Sequence, residues 1–287
     1  MRLEKYLQQR YSAATARAYH RDIEIYLANY AGAADAKYGE VMDYIGRLRQ
    51  RYSNPSTLKR VLASIKVYYD YLCAIEARED HPARSIRLKD QRTRDIQLQD
   101  LFTTQELDLL LDRQERYRNL DYRNRVLMSL LIYQGLHPQE IAALEVTDFN
   151  LHAAQVFIRA TPKTNSRTLA LKAGQILSLQ EYMHQIRPQL LNDHTVDQLI
   201  IGLRGTPMCA EDITKHVKRS YAGIYAPRKI NAQTIRQSVI ANLLKSGNDI
   251  SAVQIFAGHK YPGSTQKYRQ NEVKTLQAAV NKYHPFG

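Results

Sequence analysis

A mainly helical chain in two domains, the second carrying a small β-sheet built on one hairpin, is the fold this sequence predicts. Three observations predict it. Apolar residues recur at helical spacing through the first 80 or so positions. The periodicity then breaks in a polar, basic stretch, HPARSIRLKDQRTRDIQLQD, over 81–100. Beyond it only QVFIRA and SRTLAL read as strands, and the rest is helical again. The expected organisation is a helical domain over 1–82, a basic linker over 83–100 and a larger domain over 101–287 with a tail helix at about 272–284.

Taken in order, Ser12 is an N-cap for TARAYHRDIEIYLANY, in which Tyr19, Ile23, Tyr26, Leu27 and Tyr30 recur at helical spacing. A shorter helix covers Gly39 to Arg51. Ser56 can then cap TLKRVLASIKVYYDYLCAI, whose Leu62, Ile65, Tyr69 and Leu72 form one face. Lys59, Arg60 and Lys66 lie around its other side, as either a solvated basic face or a set of phosphate contacts. The second domain opens at TTQELDLLLDRQ, capped by Thr103 or Thr104, and continues through a buried helix, RNRVLMSLLIYQGL, stopped by Gly135. The hairpin QVFIRA–TPKTN–SRTLAL presents Lys163 near its turn. Four further helical stretches follow: GQILSLQEYMHQIRPQL, DITKHVKRSYAGIY, AQTIRQSVIANLLKSG and DISAVQIFAGH.

Lysine and arginine total 41 against 28 acidic residues, a net charge of +13. That excess favours a polyanionic partner, since each neutralised phosphate releases condensed counterions. No apolar run approaches the roughly 20 residues of a membrane span, and the N-terminal residues lack the apolar segment of a secretory signal. Cys73 and Cys209 stand far apart without a partner motif, which argues against a disulfide framework or a cysteine-rich zinc site and fits a cytoplasmic protein.

One cluster in the last third carries chemistry. Arg236 sits in a helix ended by Gly247, a second helix ends at Gly258-His259, and Tyr268 follows nine residues after the histidine. A guanidinium forks onto phosphate oxygens, an imidazole donates or shuttles a proton, and a phenol can be a nucleophile. Taken singly, such residues are more often ordinary surface and core positions.

The segment TIRQSVIANLLKSGNDISAVQIFAGHKYPGSTQKY resembles the signature block of the tyrosine recombinases (phage integrases), with Arg236, Gly247, Gly258-His259, Ser264-Thr265 and Tyr268 in register. LIYQGLHPQEIAALEVTDFNL resembles the block carrying that family's first catalytic arginine, with Gly135, Leu136, Glu140, Leu144 and Asp148 in place. Lys163 falls at the family's β-turn lysine, and SAATARAYHRDI with SNPSTLKRVLASIKVYYDYL resembles its N-terminal, SAM-like core-binding domain. The resemblance implies a site-specific recombinase, its second domain catalytic, that cleaves and rejoins duplex DNA without metal or other cofactor. Tyr268 would attack the scissile phosphate to leave a 3′-phosphotyrosyl link. Arg236 would neutralise a non-bridging oxygen, Lys163 would protonate the leaving 5′-oxygen, and His259 would bind the phosphate or move a proton. It also implies a homo-tetramer on two DNA sites, linked through the tail helix, with an accessory or partner recombinase possible and a mobile element as the setting. Arg92 and Arg94 of the linker, with Arg167 and Lys260, are further candidate DNA contacts.

Two departures stand out. His137 occupies the position of the first arginine, and Gln233 stands three residues before Arg236 where a histidine or lysine is usual; Gln237 likewise replaces a common histidine. An amide still donates to a phosphate oxygen, whereas a neutral imidazole lacks both the permanent charge and the fork. Loss of one such arginine costs about 3–5 kcal/mol of transition-state stabilisation by analogy with removed preorganised donors. Three readings stay open: His137 is protonated beside the phosphate, with cleavage rising from about pH 8 to about pH 6; Lys260 or Arg167 swings into the vacancy; or the chain is a catalytically impaired DNA-binding accessory or regulatory protein on the same fold. Glu140 is expected to buttress the helix that follows His137.

Overall fold

The computed structural model describes residues 1–89, 100–192 and 194–268. Arg92, Arg94 and the expected tail helix at 272–284 lie outside them. The chain divides into two compact units, Met1–Arg94 and Asp95–Gly287, each with its own core.

The first unit is four helices, α1 (Leu3–Arg10), α2 (Ala13–Asn29), α3 (Tyr38–Arg51) and α4 (Pro55–Ala74). Ser12 caps α2 as its sequence predicts, accepting from the Thr15 N–H at 3.4 Å. The cap of α4 is Asn54, not Ser56: Pro55 takes the first helical position, whose N–H needs no partner, and the Asn54 side chain accepts from the Ser56 N–H at 3.1 Å. Ile23, Tyr26, Ile45, Ile65 and Tyr69 fill the centre, where the Tyr26 and Tyr69 hydroxyls meet at 2.7 Å and Tyr69 donates onward to the Ala33 carbonyl at 2.8 Å. That chain satisfies two buried phenols that would otherwise cost stability. The stretch expected to begin the linker belongs to this core, because Ala83 and Ile86 are buried in it.

The second unit is mainly helical around one small sheet. Its helices are α5 (Thr104–Asp108), α6 (Arg118–Tyr133), α7 (Pro138–Ala143), α8 (Ala173–Glu181), α9 (Arg187–Leu191), α10 (Ala210–Tyr221), α11 (Ala232–Lys245) and α12 (Ile250–Ala257). Helix α6 is the spine, with Val126, Leu127, Met128, Leu130 and Leu131 fully buried. A π-turn at Tyr182–Ile186 separates α8 from α9, where the sequence reads as one helix. The sheet is antiparallel in the order β1 (Phe149–Asn150), β2 (Gln155–Ile158), β3 (Arg167–Ala170). The hairpin was expected; the short β1 beside it was not. In β2 and β3, Val156, Ile158, Arg167 and Leu169 point inward, so alternation places an arginine at a core position. No helix among the described residues is long and apolar enough to cross a membrane.

Candidate active site

Two segments bond to the buried carboxylate of Glu140, and a third pairs with the second of them. The first is the turn from α6 into α7. Gly135 ends α6 with φ +58° and turns the chain so that its carbonyl faces α11, and His137 precedes Pro138 at the first position of α7. One carboxylate oxygen of Glu140 accepts the His137 backbone N–H at 2.8 Å, the reciprocal half of a helix cap.

The second segment is the hairpin turn. The Thr161 hydroxyl accepts the N–H groups of Lys163 and Thr164 at 3.1 and 3.0 Å, which tightens the turn and leaves the Lys163 side chain in solvent. Thr164 points the other way, is buried, and donates to Glu140 at 2.8 Å. The third segment is the Gly258-His259 loop. It pairs with the hairpin turn through a bridge between Thr164 and His259, and the Asn165 N–H donates to the Gly258 carbonyl at 2.9 Å. Lys163 and His259 thus share one framework.

Arg236, on α11, is 2% exposed and lies beneath these segments. Its Nη1 donates to the Gly135 carbonyl and its Nη2 to the Ala257 carbonyl, both at 2.5 Å, and Nη1 stands 3.9 Å from Glu140. The Arg236 charge acts on His137, His259 and Tyr268 together. Burial, reinforced by Arg236, pushes both histidines down to about 4, so both are neutral near pH 7. His259 Nδ1 lies 2.8 Å from the hydroxyl of Thr265, itself fully buried, which fixes the ring and leaves Nε2 to face a ligand. Tyr268 lies in a helical stretch whose described residues are 263–268. It is 7% exposed and packs with Ile240, Val253 and Ala257. Burial raises its phenol to about 12 against the opposing pull of Arg236, so the hydroxyl is neutral in the unliganded protein.

The structure therefore brings Arg236, His137, His259, Tyr268 and Glu140 together and holds Lys163 on the adjoining turn. Gln233 is exposed one turn before Arg236, in the first turn of α11. Lys260 is exposed beside His259, and Lys59 is exposed on α4. Of the expected DNA contacts, Arg167 is buried, and Arg60 and Lys66 are partly exposed with one protein partner each. Arg167 is buried and forks onto Glu140 at 2.7 and 3.2 Å, so it is neither a surface contact nor free to replace an arginine at 137. Arg60 pairs with the buried carboxylate of Asp22, which also accepts from Ser64. Lys66 donates to the Arg84 carbonyl at 3.1 Å.

Sequence reading missed the roles of Thr164, Thr265 and Arg167. Arg167 had a signal in its alternation with Leu169 along β3, and Thr265 one in its place within the Ser264-Thr265 signature. Among the described residues, no group of three or more histidine, cysteine or acidic side chains could hold a metal ion.

Two family models cover this architecture: the phage integrase family over residues 100–275 and the phage integrase N-terminal SAM-like domain over 2–75. The chain belongs to the phage integrase family, the tyrosine recombinases. It is 24% identical over 286 residues to the tyrosine recombinase XerD of Staphylococcus saprophyticus, covering 97% of this chain and 95% of that protein. It is 26% identical over 282 residues to XerD of Staphylococcus aureus, covering 96% and 93%. Among solved structures it shares its fold with a lambda integrase dimer bound to a COC′ core site (TM-score 0.68, 13% identity, 93% and 92% covered). It shares it also with a Tn1549 transposon integrase in complex with a circular intermediate DNA (TM-score 0.67, 15% identity, 96% and 99% covered). Matches that run the length of both domains account for the helical first unit and the small-sheet second unit of this integrase-family chain in one stroke.

Proposed function

We propose that this chain is a working site-specific recombinase in which Tyr268 attacks a scissile DNA phosphate. The observation that carries the reading is Tyr268 buried against Ile240, Val253 and Ala257 in the field of Arg236, with the Lys163 turn bridged to His259. In the proposed step the Tyr268 oxygen bonds to phosphorus as the bond to the 5′-oxygen breaks, giving a 3′-phosphotyrosyl link and a 5′-hydroxyl. Lys163 delivers the proton to that oxygen, and the phenolic proton passes to water or His259. Rejoining reverses the step, so the bond energy is conserved and no cofactor is called for.

Arg236 has N–H groups beyond those on the Gly135 and Ala257 carbonyls, and these neutralise a non-bridging oxygen in a dry setting. The tautomer of His259 sets its part. If the Thr265 hydroxyl donates to Nδ1, Nε2–H donates to the phosphate; if Nδ1–H donates to Thr265, Nε2 is a base. His137 contributes one neutral hydrogen bond where an arginine would give two and a charge. Gln233, Lys260 and Lys59 are proposed as amide and lysine contacts to the DNA backbone, with Arg92 and Arg94 in the same role. A homo-tetramer on two duplex sites, joined by the tail segment over about 272–284, completes the reading, with a mobile element in the cytoplasm as its setting and an accessory or partner recombinase as a further participant.

The neutral His137 favours a second reading, a DNA-binding accessory or regulatory protein on the same fold. Strand exchange separates the two. Two duplexes carrying DNA that flanks the gene should yield recombinant product with the wild type and none with Tyr268→Phe. Binding at a footprinted site with no product from either protein supports the second reading.

A further inference from the structure

Arg167 leaves β3 on the inward side and makes four hydrogen bonds with protein groups. Its two terminal nitrogens fork onto Glu140, Nε donates to the Phe256 carbonyl at 2.7 Å, and Nη1 reaches the Asn165 carbonyl at 3.3 Å. One guanidinium thereby joins the carboxylate that holds the His137 backbone to the last turn before Gly258-His259. The loop is moulded on it. A Cβ at Gly258 would stand 2.5 Å from Arg167 Nη1 and 2.9 Å from its Cζ. With both terminal nitrogens on Glu140 and Nε on a backbone carbonyl, Arg167 is engaged by protein groups and not held out for a phosphate.

We propose that Arg167 is a positioning residue for DNA cleavage, fixing the His137 end of α7 against the Gly258-His259 loop so that both imidazoles address one phosphate. This rests on the reading that the chain cleaves DNA through Tyr268. Glu140 stands between two buried guanidiniums, forked by Arg167 and 3.9 Å from Arg236. Without Arg167 its charge has Arg236 as the remaining close cation and is drawn towards it, which pulls Arg236 off the Gly135 and Ala257 carbonyls. Lysine keeps the charge at 167 but, lacking the fork, cannot serve both Glu140 oxygens and the Phe256 carbonyl at once.

The test compares the full-length wild type with Arg167→Met, Arg167→Lys and, as a control for lost stability, Leu131→Ala, a buried core change whose side chain makes none of the site's hydrogen bonds. Each is measured for duplex affinity, melting temperature and single-turnover covalent adduct formation on a nicked duplex from the gene's flanking DNA. Duplex affinity should be unchanged. The adduct rate per folded molecule should fall about 100-fold in Arg167→Met, the scale set by a misplacement of about 1 Å, with an intermediate rate for Arg167→Lys and the wild-type rate for Leu131→Ala. NMR signals of the His137 and His259 imidazoles should both shift in the Arg167 variants while that of His20 stays. A folded Arg167→Met that cleaves at the wild-type rate, a loss no greater than that of Leu131→Ala, or unmoved imidazole signals would overturn the proposal. Should Arg167→Met fail to fold, Arg167→Lys is judged by the same readouts. A wild type that binds its site yet forms no adduct instead defeats the reading of DNA cleavage, and the imidazole signals still decide on Arg167.

Discussion

His137 stands at the start of α7 as a neutral base, because burial and then Arg236 lower its pKa to about 4. A group whose folded pKa is depressed this far stays uncharged as the pH falls from about 8 to about 6, the range in which an ordinary histidine takes up its proton. The adduct-forming rate of the wild type should therefore run parallel to that of His137→Ala across this range. An acid-side rise present only in the wild type would mean that bound phosphate restores the imidazolium. His137→Arg supplies the missing fork and should raise the single-turnover rate about 10-fold or more, given what a preorganised donor contributes to such a transition state. A rate unchanged in His137→Arg would show that the site has been rebuilt around imidazole. The departure at 137 was open to view in the sequence, since it is an identity at a spaced position. The protonation state was not, because it depends on Arg236, which is distant in the chain and brought beneath His137 only by folding.

The arrangement of helix ends and turns decides which basic side chains are open to solvent and which are paired within the protein. Lys59 and Arg60 are neighbours on α4 and look equivalent as a string, yet Lys59 is exposed and Arg60 is held by Asp22 on α2. Lys59→Ala should weaken duplex binding and lower the salt slope by about 1 with melting unchanged. Arg60→Ala should instead destabilise the protein by about 2 kcal/mol in urea unfolding, the scale of a lost hydrogen bond to a charged group. The opposite pattern would return Arg60 to the DNA surface. Gly258 ends α12 at φ +67° against Arg167, so Gly258→Ala should lower the melting temperature and slow cleavage together. A variant that melts and cleaves like the wild type would show that the loop tolerates a side chain there. Periodicity and capping residues placed most of the helices and the hairpin, because those signals are local. The α4 cap moved by two residues because Pro55 competes for the helix start, and β1 was missed because a two-residue strand carries no alternation to read.

At the scale of the molecule, each unit buries its own apolar core and the chain carries a net charge of +13. A fragment ending at Arg94 should fold alone, since Ala83 and Ile86 complete its core, whereas one ending at Pro82, as the composition break suggested, would expose that face. Circular dichroism melts of the two fragments check this: equal stability would contradict it. Binding of the whole chain to duplex DNA should weaken steeply with salt, as counterion release requires. Basic composition and the spaced signature point to a DNA partner, but neither contains the carbonyl and carboxylate contacts that hold Arg236 and Arg167 inward.

The most direct measurement is an SDS-resistant adduct on nicked duplexes tiled across the gene's flanking DNA, followed by peptide mapping of the linked residue. The account predicts an adduct at the 3′-phosphate, attached through Tyr268 and abolished by Tyr268→Phe. A discrete footprint without any adduct, or an adduct that survives Tyr268→Phe, would contradict it.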